Sequence, residues 1–306
     1  MASPLHSAVS SDTERLVLDP AERRDTVLEV IRGARQDLVL SLFRCDDFKV
    51  LDELASAVER KVRVRALLTP HAKNWDRRLQ DLGVFLESMG ALVYRYAGTH
   101  SKYHAKYIVA DSGPALVASL NFTRKCFQQT CDFILVTHDP QVVCGLTQLF
   151  EQDCHAPDSG LPPGLTDSLI IGPETARTRF LKILGDARRT IRIIDHRVSD
   201  PSIVAMLRDR QNAGVSVQVL GLDSIESKLS HGKMLLVDDR VAVIGSISLF
   251  PPSLNERREV SILVQNAVNI AKLSRFFELA GQGGGGAPSE WSVPRLLDDE
   301  ATDDLD

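Results

Sequence analysis

The chain has 306 residues, enough for one large domain or two of ordinary size, and its 43% hydrophobic and 25% charged composition is that of a globular protein. The net charge of −5 is concentrated at the end, where Asp298, Asp299, Glu300, Asp303, Asp304 and Asp306 occur without a base; the rest is close to neutral, which argues against a broadly basic nucleic-acid groove. No apolar run approaches the roughly 18–20 residues that span a bilayer, and the start MASPLHSAVSSDTERL lacks the basic-then-apolar pattern of a secretory leader, so a cytoplasmic protein that meets membranes only peripherally is expected.

Residues 1–18 are polar and read as a flexible lead-in. Asp19-Pro20-Ala21-Glu22 then has the form of a helix start, with a capping acid, a proline in the first turn and a glutamate three residues after the cap. That helix runs to about Arg35. A strand over 38–43, a helix over 48–59, a strand over 62–68, a helix over 75–89 and a strand over 91–96 follow. Tyr107–Val109 and Ala115–Ser119 read as a hairpin around Ser112-Gly113-Pro114, and a strand over 133–136 and a helix over 141–152 close a first half at 19–155. Residues 156–166 have linker composition. The second half, 167–281, repeats the order: helix 174–187, strand 190–194, helix 203–212, strand 215–220, a second hairpin and a last helix over 267–280. Residues 282–306 read as a disordered acidic tail.

The repeat is visible in the residues themselves. HAKYIVADSGPALVASLN (104–121) and HGKMLLVDDRVAVIGSIS (231–248) superpose at a shift of 127, which places His104 on His231, Lys106 on Lys233, Asp111 on Asp238, Ser119 on Ser246 and Asn121 on Ser248. Asp132 meets Glu259 at the same shift. Upstream, Ala34, Arg44, Val62 and Leu67 meet Ala187, Arg197, Val215 and Leu220 at a shift of 153, so the first half carries an insertion of 26 residues between about Thr69 and Tyr103. A period this long is no solenoid; it fits two like α/β halves about a pseudo-twofold axis, hence a monomer with an internal pseudo-dimer.

Within each half, His and Lys two apart on a strand point to one face, and the downstream Ser and Asn or Ser do the same on the next strand. Imidazole, ammonium, hydroxyl and amide together suit a phosphate. Asp132 and Glu259, each 28 residues after its own His, are placed to accept a ring N–H and fix a tautomer. Asp111 and Asp238 follow apolar strands into turns, where a turn-stabilising role and a chemical one are both open. Two such faces meeting across a twofold set two histidines on opposite sides of one phosphate: one attacks phosphorus, the other handles the proton of the leaving and incoming oxygens. The lysines and Ser119, Asn121, Ser246 and Ser248 would hold the equatorial oxygens. No cofactor or metal is called for. The five cysteines, odd in number and without a CxxC pair, read as reduced thiols, and Cys144, Cys154 and His155 as helix-face packing.

His-x-Lys-x4-Asp, present twice and followed by ASLN and GSIS, resembles the HKD motif of the phospholipase D superfamily over about residues 20–280. The resemblance implies a pair of α/β/α sandwich halves with mixed sheets, one shared site and a phosphohistidine intermediate, with His104, Lys106, Asp111, His231, Lys233 and Asp238 as the catalytic set. Ala118 and Ser248 depart from the usual Gly and Asn. The family includes phospholipases, phosphatidyltransferases and nucleases, so three readings stand: a phosphodiesterase or phosphatidyltransferase on a phospholipid substrate, which is favoured; a nuclease, which would bring Arg188, Arg189, Arg192, Arg197, Arg257 and Arg258 to the cleft; and a non-catalytic phosphate-binding protein. His104 is assigned as nucleophile, because its half keeps Asn121, and His231 as acid/base, the reverse remaining open.

Overall fold

The computed structural model describes residues 13–220 and 229–282; the acidic tail and most of the expected lead-in lie outside the described residues. The first half runs β1 (Glu14–Val17), α1 (Pro20–Gly33), β2 (Asp37–Leu42), α2 (Phe48–Glu59), β3 (Arg63–Leu68), α3 (Asp76–Ser88), β4 (Leu92–Arg95), β5 (Lys102–Tyr103), β6 (Tyr107–Ala110), β7 (Ala115–Ala118), α4 (Arg124–Gln128), β8 (Thr130–Cys131), β9 (Ile134–Thr137) and α5 (Pro140–His155). The second runs β10 (Leu169–Gly172), α6 (Ala176–Gly185), β11 (Thr190–Ile194), α7 (Pro201–Asn212), β12 (Ser216–Leu220), β13 (Leu229–Ser230), β14 (Lys233–Val237), β15 (Val241–Gly245), α8 (Pro251–Asn255), β16 (Arg257–Val264) and α9 (Ala267–Gln282).

Helix starts follow local chemistry. Asp19, Asp139 and Asp200 each cap a helix whose first residue is proline, accepting from a backbone N–H that has no partner in its own helix. Strands follow the period of two: Leu38, Leu40 and Leu42 of β2 face the core shared with α1 and α2, while Val39 faces the opposite core.

The first sheet has the order β1-β9-β7-β6-β2-β3-β4 and the second β10-β16-β15-β14-β11-β12, the same sequence of positions with β4 as the extra edge strand. Both sheets are mixed. In the first, β2, β3 and β4 are parallel and the hairpin strands antiparallel; in the second, β11 and β12 are parallel. The insertion supplies α3 and β4. The outer face of each sheet packs on its own helices, Val27 and Ile31 of α1 in one case and Phe180, Leu184 and Leu207 of α6 and α7 in the other. The inner faces share one core with α5 and α9, in which Val39, Tyr107 and Val117 of the first sheet join Leu236, Ile244 and Ile262 of the second. Apolar burial of this extent across both halves makes them one folding body. The α/β architecture of two pseudo-twofold halves is thus the one the repeat implies.

One local feature differs from the sequence reading. Glu14–Val17, placed in the lead-in, is an edge strand paired antiparallel with β9; four residues are too few to show a period. The stretch Phe250-Pro251-Pro252 opens the short helix α8.

The halves also exchange strands. β5, from the first half, pairs parallel with β16 of the second, Lys102 opposite Arg257 and Tyr103 opposite Arg258. β13, from the second, pairs parallel with β8 of the first, Leu229 opposite Thr130 and Ser230 opposite Cys131. The shift of 127 carries each ladder onto the other. A buried ion cluster fastens one crossing: Arg258 lies 3.0 Å from Asp153 of α5 and donates to Glu174 at 2.7 Å and to the Gly172 carbonyl at 3.1 Å. Burial pushes the Asp153 carboxyl up to about 7 even against Arg258.

Candidate active site

The crossings carry the histidines. His104, Ala105 and Lys106 bridge β5 and β6; His231 and Gly232 bridge β13 and β14, and Lys233 begins β14. The sequence puts each His and Lys on one continuous strand. The structure corrects this: each pair sits where the chain leaves one sheet for the other, because the residues before the His pair with the opposite half. Only then can a His meet an acid from across the pseudo-axis.

It does so twice. Nδ1 of His231 lies 2.8 Å from Oδ1 of Asp132, and Nδ1 of His104 lies 3.4 Å from Oε2 of Glu259. All four residues are buried. Asp132 Oδ1 also accepts from Ser119 Oγ at 2.6 Å and Oδ2 from Thr130 Oγ1; Glu259 Oε1 accepts from Ser253 Oγ at 2.9 Å. Burial alone would raise the Asp132 carboxyl. The adjoining His231 outweighs it, helped by Arg23 and the Ser119 hydroxyl, and holds it down to about 2. Arg23, itself buried, donates to the carbonyls of Leu18, Cys126, Thr130 and Asp132 and so pins the segment that carries this acid.

The hydroxyls expected on phosphate are engaged elsewhere. Ser119 holds Asp132 and accepts from the Phe133 amide at 2.9 Å; Ser246 accepts from the Val260 amide at 3.1 Å, beside Glu259. These serines clamp the acid-bearing strands. Ser248 donates to Asp195 Oδ1 at 2.6 Å, and the Leu249 amide to Oδ2 at 2.7 Å. Burial pushes the Asp195 carboxyl up, against the pull of Ser248, two backbone amides and Lys233. Asp195 takes the place of Leu42 at the shift of 153; an acid directly after the apolar Ile193-Ile194, where the first half has a leucine, is the one signal that could have disclosed it. Asn121 is buried, and its amide oxygen has no hydrogen-bond partner among the described residues. Lys106 donates through Nζ to the His104 carbonyl at 2.7 Å.

Asp111 and Asp238 are not brought to the histidines. Each sits in the turn at the far end of its hairpin with positive φ, +49° and +55°. Asp111 accepts the amides of Arg35, Gln36 and Asp37, each at 2.8 Å; Asp238 accepts those of Arg188, Arg189 and Thr190 at 2.7–2.8 Å. Partial burial works to raise both carboxyls, but the three amides outweigh it and leave them below the usual range. Their geometry is that of a lock on the start of β2 and β11.

Aromatic rings set the cations around the site. The Phe43 ring meets the His104 imidazole edge-on, centroids 4.6 Å apart, and bears Arg44 at 5.0 Å, Lys106 at 5.1 Å and Lys102 at 5.2 Å. Phe250 carries Arg257 at 4.8 Å and Arg197 at 4.9 Å. Of the six bases expected in a nuclease groove, these two flank the site. Arg188 and Arg189 lie at the Asp238 turn, Arg192 is bound to Asp239 and Ser274, and Arg258 is in the buried ion cluster. Trp75 packs on the Phe43, Ala72 and Leu79 cluster.

Cys126, Asp132 and His231 are the one group of potential metal ligands found among the described residues, their ligand atoms within 4.8 Å of one another. Both Asp132 oxygens are already taken by Ser119, Thr130 and His231, so the donors read as a closed hydrogen-bond network. Cys144 is exposed and does not join Cys154 and His155 in such a group. No described helix is long and apolar enough to cross a membrane.

Comparison with known proteins supports the family resemblance and the fold. The family model described as "Cardiolipin synthase, PLD-like domain" matches residues 27–154 and again 181–279. The chain belongs to this phospholipase D-like family, within a superfamily of phosphodiesterases and transferases. Over 124 residues it is 27% identical to the 5'-3' exonuclease PLD3 of Homo sapiens, which is 39% of this chain but 25% of that relative's length. Among solved structures, phosphatidylserine synthase of Haemophilus influenzae superposes with a TM-score of 0.70 at 11% identity, covering 88% of this chain and 86% of that one. Polyphosphate kinase of Porphyromonas gingivalis gives 0.71 at 15% identity, covering 90% of this chain and 50% of that one. At these identities the two structures are similar in fold.

Proposed function

We propose that the chain cleaves or transfers phosphodiesters by a double displacement at His104 and His231, with no metal taking part. The observation that carries the reading is the crossed pairing of each histidine with the other half's acid. An Nδ1 engaged by a carboxylate fixes the tautomer and leaves Nε2 as the reacting nitrogen. In the first step the His104 Nε2 lone pair forms a bond to phosphorus, the P–O bond to the leaving alcohol breaks, and His231 gives that oxygen its proton. In the second, His231 takes a proton from water or an acceptor alcohol, whose oxygen attacks phosphorus as the P–N bond breaks. Lys106, Lys233 and Asn121 stabilise the charge on the equatorial oxygens. The shorter carboxylate contact is the one at His231, to which we assign the proton-donor role; His104 is left as nucleophile.

The substrate class read first is a phospholipid, on the strength of the family model and the likeness to phosphatidylserine synthase over nearly the whole of both chains. A nucleic-acid strand is the second reading, favoured by the Arg197–Phe250–Arg257 stack and by the exonuclease relative. A panel of phosphatidylcholine, phosphatidylglycerol, single-stranded DNA and RNA, assayed in EDTA, decides between them. Cleavage of lipid is expected; cleavage of nucleic acid alone overturns the lipid reading, and loss of all activity in EDTA overturns the metal-free mechanism.

A further inference from the structure

The two strand crossings match in geometry but not in charge. Beside His104 the ladder pairs Lys102 with Arg257; beside His231 the equivalent positions are Leu229 and Thr130. At the same two places relative to its histidine, one crossing has two cationic residues and the other two neutral ones.

The cationic side is also the one built up with aromatic rings. Lys102 shares the Phe43 ring with Arg44, and that ring touches His104; its ladder partner Arg257 shares the Phe250 ring with Arg197. Arg44 and Arg197 are themselves equivalent residues of the two halves. Phe43 and Phe250 are buried, as are Arg44 and Arg257, so these cations are positioned rather than loosely solvated. A guanidinium laid on a ring keeps its N–H fork in its own plane, the geometry that grips a phosphate with two parallel hydrogen bonds. On the proposed reading Lys106, Lys233 and Asn121 hold the scissile phosphate from both halves. Arg44 and Arg197, one from each half, keep that symmetry; the Lys102–Arg257 pair does not, because its counterparts beside His231 are Leu229 and Thr130.

We propose that the site takes substrates bearing a second phosphate, bound on the His104 side by Lys102 and Arg257, so that the substrate lies in one orientation. The inference rests on the reading of the histidine pair as a phosphoryl-transfer site. The second phosphate is supplied equally by the next phosphate of a nucleotide chain or by a phosphorylated lipid headgroup.

The test uses two substrate pairs, each differing by one phosphate: the 5'-p-nitrophenyl phosphate ester of thymidine with and without a 3'-phosphate, and phosphatidylglycerol phosphate against phosphatidylglycerol. The wild-type chain is expected to prefer the two-phosphate member of at least one pair by about tenfold in kcat/KM, the factor for one good charge-assisted contact, chiefly through KM. Which pair shows it identifies the source. In Lys102→Ala and Arg257→Ala the preference falls towards one, and in Lys102→Glu it inverts. No preference in either pair, or a preference that survives both alanine variants, overturns the proposal while cleavage of the one-phosphate members still supports the histidine mechanism. If no member is cleaved, the mechanism fails, and titration of thymidine 5'-phosphate and thymidine 3',5'-bisphosphate reads the subsite by itself: equal affinities overturn it, and tighter binding of the bisphosphate that is lost in Arg257→Ala supports it.

Discussion

Asp132 of the first half lies 2.8 Å from the Nδ1 of His231 in the second, and nothing within either half alone would bring them together. The contact exists because residues 229–230 pair with residues 130–131. The exchanged ladder is therefore the device that makes one site out of two repeats. Asp132→Asn is expected to lower kcat by about 10²-fold or more, in the range of general acid–base contributions, with a smaller change in KM. Full activity in Asp132→Asn would remove the acid from the mechanism.

The same acid sets an acid limit on stability. Its folded-state pKa is about 2 against an ordinary 3.8, so the folded state binds that proton less readily than the unfolded chain. The sign follows: the stabilisation is complete above about pH 4 and is lost as the pH falls towards 2, and a difference of this size is worth roughly 2 kcal/mol. Asp132→Asn should therefore show a shallower loss of stability between pH 4 and pH 2 in denaturant titrations. An unchanged slope would mean that His231 does not hold this carboxylate.

Asp111 and Asp238 should behave as structural residues. Removing either by alanine takes the charged acceptor from three backbone amides and is expected to cost about 1–3 kcal/mol. Asn, which keeps an acceptor and tolerates positive φ, should cost less. Folded Asp111→Asn protein is expected to retain kcat within a few fold, measured beside its thermal midpoint. A collapse of kcat with an unchanged midpoint would return Asp111 to the chemistry.

Gly245 links packing to the site. It has φ +151°, and a Cβ there would stand 2.4 Å from Ser261 Cα and 2.5 Å from the Val260 carbonyl, on the strand that carries Glu259. Gly245→Ala should cost about 3 kcal/mol or more, as strain and overpacking together. Activity should fall with it because β16 must move. An unperturbed melting curve would contradict the close approach.

The repeat made most of the fold legible. The apolar periods placed β11 and α2 at their observed bounds, and the aligned residues announced two halves of equal strand order. The residue types at the crossings were legible: His231 meets Asp132 there and His104 meets Glu259, with Lys106 and Lys233 two residues after each histidine. What the sequence could not carry was partnership. Two-residue ladders such as β5 and β13 have no period, so the exchange between halves was invisible, and with it the identity of each histidine's acid. The partners of the serines and of Asp111 and Asp238 were hidden for a related reason. A hydroxyl or carboxylate at a matched position shows that a hydrogen bond is needed, but not whether its partner is a phosphate, an acid or a backbone amide. Asp195 was missed because it has no counterpart in the first half.

The central claim is that two histidines from two halves act on one phosphorus, His104 as nucleophile. Trapping tests it most directly. Folded His231→Asn and His104→Asn proteins are mixed with a p-nitrophenyl phosphodiester, quenched at neutral to alkaline pH and analysed by intact-mass and peptide spectrometry. The account predicts an acid-labile phosphoryl adduct on His104 in His231→Asn and none in His104→Asn. An adduct on His231 alone would reverse the two roles, and turnover by either variant without any adduct would contradict the covalent mechanism.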